Sequence, residues 1–216
     1  MSPLQLKPEH QHLHVLCLGA HSDDIEIGCA GTLLKWLAEY PAVHVTWVVL
    51  SAAGARGLEA RRSAKALLRR AASLDIVLGG FADTELPAHG AQAKALLREV
   101  ATRCTPDVVL THRLEDRHQD HRMLAELTWQ VWRNHLVLEY EVPKYEGDLG
   151  QPNVFVPLPK AMATRKLRHL MTHFASQRGK DWFNPATFSG LMALRAVECR
   201  AAAGQAEAFH ARKLTL

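Results

Sequence analysis

Two short runs carry the side chains able to do chemistry: His21-Ser22-Asp23-Asp24 and His118-Gln119-Asp120-His121. His21 and Asp24 stand three residues apart, so on a tight turn or a first helical turn both can converge on one point. Asp23 lies between them and points elsewhere, which leaves one aspartate free as a base while the other binds a cation. The second run can supply what the first lacks. Three protein ligands and one open position make a catalytic zinc site, where a bound water loses its proton near neutrality. The chemistry indicated is that of a metal-dependent hydrolase. Taken singly the residues say less: His21 is an ordinary surface histidine and Asp24 a good helix N-cap.

The elements needed to position these runs follow from the apolar pattern. Strands are expected over 14–20, 43–50, 75–78 and 107–111. Helices are expected over 58–73, 92–103, 120–134, 161–175 and 184–200, with another beginning at Gly28. Strands alternating with helices imply right-handed crossovers and a mostly parallel sheet covered on both faces, a Rossmann-like three-layer αβα sandwich of the α/β class. Ligands of such sheets sit beyond the carboxyl ends of the strands where the order reverses. Both runs follow strands, so they can meet although nearly 100 residues separate them. After Glu139 the pattern loosens into a proline-rich loop, read as a substrate-side or subunit-contact segment, and residues 206–216 read as a short tail.

A chain of 216 residues suits one domain spanning 1–216. No apolar stretch approaches the roughly 20 residues of a membrane span. The first ten residues lack the apolar core and cleavage site of a secretory signal, so a cytoplasmic location is expected. Cys17, Cys29, Cys104 and Cys199 are scattered, as buried thiols are, and form no CxxC metal motif. The net charge of +4 comes largely from arginines along helices, such as Arg61, Arg62, Arg69 and Arg70, which read as a solvated face. No nucleic-acid reading motif accompanies them, so no nucleic acid is expected as partner; an anionic small substrate remains compatible.

The run from Ala20 to Leu33 (AHSDDIEIGCAGTL), paired with Thr111 to Arg122 (THRLEDRHQDHR), resembles the PIG-L (LmbE-like) family of zinc-dependent N-deacetylases. Segments 139–149 and 151–158 look like one bacterial branch of it. The resemblance implies that His21, Asp24 and His121 bind zinc and that Asp23 is the general base. It also implies that His118 steadies the oxyanion and that Asp120 orients a histidine. The family commonly has Pro at Ser22, Glu at Ile25 and Pro at Gln119. None of these is an implied ligand, so the departures bear on substrate and rate more than on metal binding.

The implied reaction removes acetyl from an N-acetylated amine, an N-acetyl amino sugar or its conjugate. Rivals are a metal-dependent hydrolase of an ester or phosphoester and a noncatalytic Rossmann-like binding module. Iron, cobalt or manganese can replace zinc at a mixed nitrogen and oxygen site. Arg61, together with Arg56, His112 and Tyr145 are candidate substrate contacts. Glu115 and Asp116 read as pocket lining or as a solvated loop. His10, His12 and His14 read as an exposed tail entering a strand, and Gly28 and Gly31 as close helix packing rather than a phosphate loop. Ser176-Gln177 and Trp182-Phe183 can close the pocket, although for the aromatics core packing is the simpler role. The proline-rich segment offers a contact for self-association.

Overall fold

The computed structural model describes Leu6 and residues 12–214. Its elements run β1 (His12–His21), α1 (Asp24–Glu39), β2 (Ala42–Ser51), α2 (Gly54–Leu67), β3 (Ser73–Leu78), α3 (Gly90–Arg103), β4 (Val108–Thr111) and α4 (Gln119–Val131). They continue with β5 (Leu136–Tyr140), β6 (Val154–Pro157), α5 (Lys160–His173), α6 (Pro185–Cys199) and β7 (Ala206–Ala211). All seven strands join one sheet in the order β3-β2-β1-β4-β5-β7-β6. The first five are parallel; β7 runs antiparallel to both β5 and β6.

Strand periodicity builds the two apolar layers. Along β1, Leu13, Val15 and Cys17 face a core with α1, α2 and α5, while Leu16, Leu18 and Ala20 face another with α3 and α4. Both faces are covered over the second half of β1 and β2, and there the strands are largely apolar. From β1 the chain steps outward to β2 and β3, then returns to β4 on the other side of β1. The order therefore reverses between β1 and β4, which pair through Cys17 and Leu110. His21 ends β1 and His112 follows β4, so both runs open onto the crevice where α/β sheets bind ligands.

Several boundaries differ from the sequence expectation. Helix α1 begins at Asp24 rather than Gly28, which puts the paired aspartates at its start. Helix α2 spans Gly54–Leu67, earlier than expected, because Gly54 enters it with φ +57° and the Ala72 N–H already joins Val43 on β2. Strand β5 is an addition, and β6 and β7 lie within the expected loop and tail. They are short, and Ala206–Ala211 has no β-branched residue to mark it, so their stability comes from pairing with each other and with β5. His12 and His14 are exposed on β1, whereas His10 and most of the first ten residues lie outside the described residues.

Helix α1 lies close on the sheet. A Cβ on Gly28 would come within 2.2 Å of the Tyr140 ring, and one on Gly31 within 2.4 Å of Leu158. Its middle is stitched to β7 and α5 by a buried ion pair. Glu207 accepts the N–H groups of Gly31 (2.8 Å) and Thr32 (2.6 Å), and Lys166 Nζ donates to Glu207 Oε1 and to the Ile27 carbonyl, both at 2.6 Å. Nearby, Arg195 clamps Glu141 through two bonds of 2.8 and 2.6 Å.

Candidate metal-dependent active site

The first run turns from β1 into α1. Asp24, the first residue of the helix, folds its carboxylate back to accept the His21 N–H at 2.6 Å. It does not serve as the N-cap; Asp23 holds that position without a capping bond. The second run opens α4. His118 is its N-cap, and its Nδ1 accepts the Asp120 N–H at 3.3 Å. That bond occupies the Nδ1 lone pair, so neutral His118 carries its proton on Nε2. Burial, followed by the neighbouring His121 and His21, lowers the His118 pKa, so the neutral form is the one at hand.

The expected ligands converge. His21 Nδ1 lies 3.1 Å from His121 Nε2 and 3.3 Å from Asp24 Oδ2, and His121 Nε2 lies 3.5 Å from Asp24 Oδ1. Each spacing is near the roughly 3.3 Å donor separation of a tetrahedral site with bonds of about 2.0–2.1 Å, with Asp24 presenting one oxygen to each imidazole. The outer ring nitrogens are held by carboxylates. His21 Nε2 faces Asp120 Oδ2 at 3.0 Å and Asp83 Oδ1 at 2.9 Å, and His121 Nδ1 faces Asp116 Oδ2 at 3.0 Å. Such partners fix the tautomer and aim the inner lone pairs at one point. The donor set fits a divalent metal ion.

The supporting shell reaches across three loops. Asp120 is itself held by the N–H groups of Thr84 (2.7 Å) and Leu86 (3.1 Å). Asp116 is buried and not part of a solvated loop: its Oδ1 accepts the His118 N–H at 2.9 Å while Lys144 Nζ reaches its Oδ2, also at 2.9 Å. Lys144 also holds Asp148 at 2.8 Å. Burial acts to raise the Asp24 pKa, but the imidazoles of His121, His112 and His21 prevail and hold it well below the carboxylate range.

Asp23 occupies a different environment. It is buried; Oδ1 accepts from Arg56 Nη2 at 2.6 Å, and Oδ2 has no partner among the described residues. Burial raises its pKa against the pull of Arg56. A cleft of about 130 Å³ opens beside it, lined by His21, Ser51, Arg56, Phe81 and Asp83 among others.

The remaining candidates disperse. His112 is fully buried behind Asp24, stacked on His121 with ring centroids 3.8 Å apart, and burial pushes its pKa down to about 4. Its Nε2 accepts the Ala20 N–H at 3.0 Å, so it supports the site rather than lining the cleft. Arg61 is exposed on α2 and does not line the cleft; Arg56, five residues earlier, does. Tyr145 is 73% exposed and is not among the cleft residues. Ser176 meets Arg56 Nη1 at 3.3 Å, whereas Phe183 packs in the core against Phe174 and Phe188. Asp83 and Lys144 escaped the sequence reading. Each is a lone residue in a loop, and only the loop's path brings it to the site.

Comparison with known proteins adds three findings. The PIG-L family model, described as GlcNAc-PI de-N-acetylase, matches residues 16–132 and so includes both runs. The uncharacterized deacetylase YaiS of Escherichia coli K12 is 28% identical over 171 residues, covering 74% of this chain and 89% of YaiS. Among solved structures, the N,N'-diacetylchitobiose deacetylase of Pyrococcus horikoshii superposes with a TM-score of 0.66 at 20% identity, over 92% of this chain and 83% of that one. GalB of Pseudomonas putida KT2440, a 4-carboxy-2-hydroxymuconate hydratase, also reaches 0.66 at 17% identity, over 94% and 98%. At these identities the likeness is one of fold, and fold leaves the reaction open.

Proposed function

Because the chain belongs to the PIG-L family, we propose that it is a metal-dependent deacetylase that hydrolyses the amide of an N-acetyl amino sugar or its conjugate. His21, Asp24 and His121 would hold the ion, for which zinc is the best match to two imidazoles and a carboxylate. When bound, the ion would polarise the acetyl carbonyl and acidify the attacking water.

The protein's own groups then divide the work. Asp23 takes the proton of the attacking water on Oδ2, while Arg56 fixes the carboxylate through Oδ1. Burial favours the protonated form of Asp23, so the group that accepts a proton can hold it and pass it to the departing nitrogen as the C–N bond breaks. His118 presents Nε2–H to the developing oxyanion as a neutral donor, without the imidazolium that chemistry alone suggests. The products are acetate and a free amine. In the cleft, Arg56 and Asp83 offer a cation and an anion to sugar hydroxyls, and Phe81 an apolar wall.

The observation that carries this reading is the convergence of three ligand side chains at 3.1–3.5 Å beside a buried, half-unpartnered carboxylate. Elemental analysis of the purified protein, combined with a screen of N-acetylated sugars for primary amine and acetate, tests it. One metal per chain and equimolar acetate and amine are expected. Release of phosphate from a phosphoester, or addition of water to a double bond with no acetate formed, would overturn it.

A further inference from the structure

The outer surface formed by α2 and α5 holds an unbalanced charge. The helices run antiparallel: Ser176 meets Glu59 at 2.6 Å, Ser63 meets His169 at 2.7 Å, and Arg165 donates to the Leu67 carbonyl at 3.4 Å. Exposed cations gather on the two helices and the turn that follows α2. On α2 they are Arg61, Arg62 and Lys65, on α5 Arg165 and Arg168, and just past α2 Arg69 and Arg70, which stand beside Arg165. Among the described residues none of these seven has a carboxylate within salt-bridge distance. The only acid in either helix, Glu59, is taken up by Ser176 and Arg56. Seven cations against a chain total of +4 leave the rest of the protein net acidic. The charge is therefore concentrated on these two helices and the turn between α2 and β3, and where Arg165, Arg69 and Arg70 stand together like charges are unfavourable until an anion joins them.

The same helix connects this face to the cleft. Arg56, which lines the cleft, lies on the first turn of α2, and from there to Leu67 the helix runs about 16 Å at 1.5 Å per residue. We propose that this seam binds a polyanionic glycan chain extending from the N-acetylated sugar in the cleft, an inference that rests on the deacetylase reading for its cleft end. Six of the seven cations are arginine, whose planar fork suits carboxylate and phosphate groups. Neither helix contains Phe, Tyr or Trp on which nucleic-acid bases would stack. Leu58 is the sole exposed large apolar residue on the two helices among the described residues, too little for insertion into a bilayer.

The test compares an oligosaccharide alternating N-acetylglucosamine with glucuronate and a neutral chitin oligosaccharide of equal length. The parent is set against the variant R62E/R69E/R70E, whose altered residues are exposed and outside the cleft. The variant is expected to lower kcat/KM for the anionic substrate on the order of tenfold to a hundredfold, and high salt to do the same to the parent. The neutral substrate is expected to be unaffected. Equal kinetics of both proteins on both substrates would overturn the proposal. Anisotropy of the labelled anionic oligosaccharide reads binding without turnover. If the parent binds it and the variant does not, while neither substrate is deacetylated, the seam stands and the deacetylase reading falls. Parent binding to single-stranded DNA or phosphatidylserine vesicles, lost in the variant and without glycan binding, would assign the face elsewhere and overturn the proposal.

Discussion

The middle and the first turn of α1 hold charge in opposite ways. At its middle, Lys166 meets Glu207, and close by Arg195 meets Glu141; each charge there has its opposite, and Lys166, Glu207 and Arg195 bond to backbone as well. At its first turn, two aspartates and four histidines crowd together, with donors of His21, His121 and Asp24 converging, and Asp23 keeps an unpartnered oxygen. Paired charges of the first kind lock elements in place, although a well-packed apolar set can be as stable. Crowded donors of the second kind carry a cost that a bound cation would relieve. The difference separates the part of the helix that fixes geometry from the part that uses it.

Substitutions can sharpen this contrast, and the largest effects belong to the first turn. His121→Ala is expected to abolish stoichiometric metal by elemental analysis. Asp23→Ala is expected to keep the metal and lose about 10²–10⁴-fold in kcat. If Asp23→Ala turned over like the parent, the unpartnered oxygen would have no catalytic role.

Next come the paired charges. Glu207→Leu leaves Lys166 and two backbone N–H groups unmatched, and urea unfolding is expected to show a loss of about 3–5 kcal/mol. A loss as small as that of a surface substitution would erase the contrast.

Two adjacent loop residues give the smaller effects. Lys144→Met removes a buried partner of Asp116, which orients His121, and is expected to weaken metal affinity about 10–100-fold in competition with a chromogenic chelator. Tyr145→Ala, one residue on but exposed, is expected to leave metal affinity unchanged and stability within about 0.5 kcal/mol.

The sequence made legible what lies close together along the chain. His21 with Asp24, and His118 with His121, could be read because each pair sits within one turn, and the strand before each placed both at the sheet's carboxyl end. The supporting carboxylates were harder to read. Asp116 looked like a loop residue because nothing local distinguishes a solvated aspartate from one buried against His121 and Lys144. Asp83 and Lys144 depend on loops whose course follows from tertiary packing. Arg61 is the contact expected, with Arg56 beside it, but helix phase leaves Arg61 exposed and turns Arg56 to Asp23. Strands β6 and β7 gave little signal, since short strands at the margin of a sheet depend more on their partners than on their own composition.

Gly28 is not one of the converging donors, yet it sets how closely α1 lies on the sheet. With its hydrogen in place of a methyl, α1 rests directly on the Tyr140 ring, and Asp24 sits one turn upstream on the same rod. A methyl would have to back away from 2.2 Å to the roughly 3.5–4.0 Å at which carbons rest, displacing the rod by about 1.3–1.8 Å. Errors of about 1 Å in a reacting centre cost on the order of 10²-fold in rate. The smallest side chain in the motif thus works as a machinist's shim of zero thickness, calibrating from below a distance that the ligands define from above.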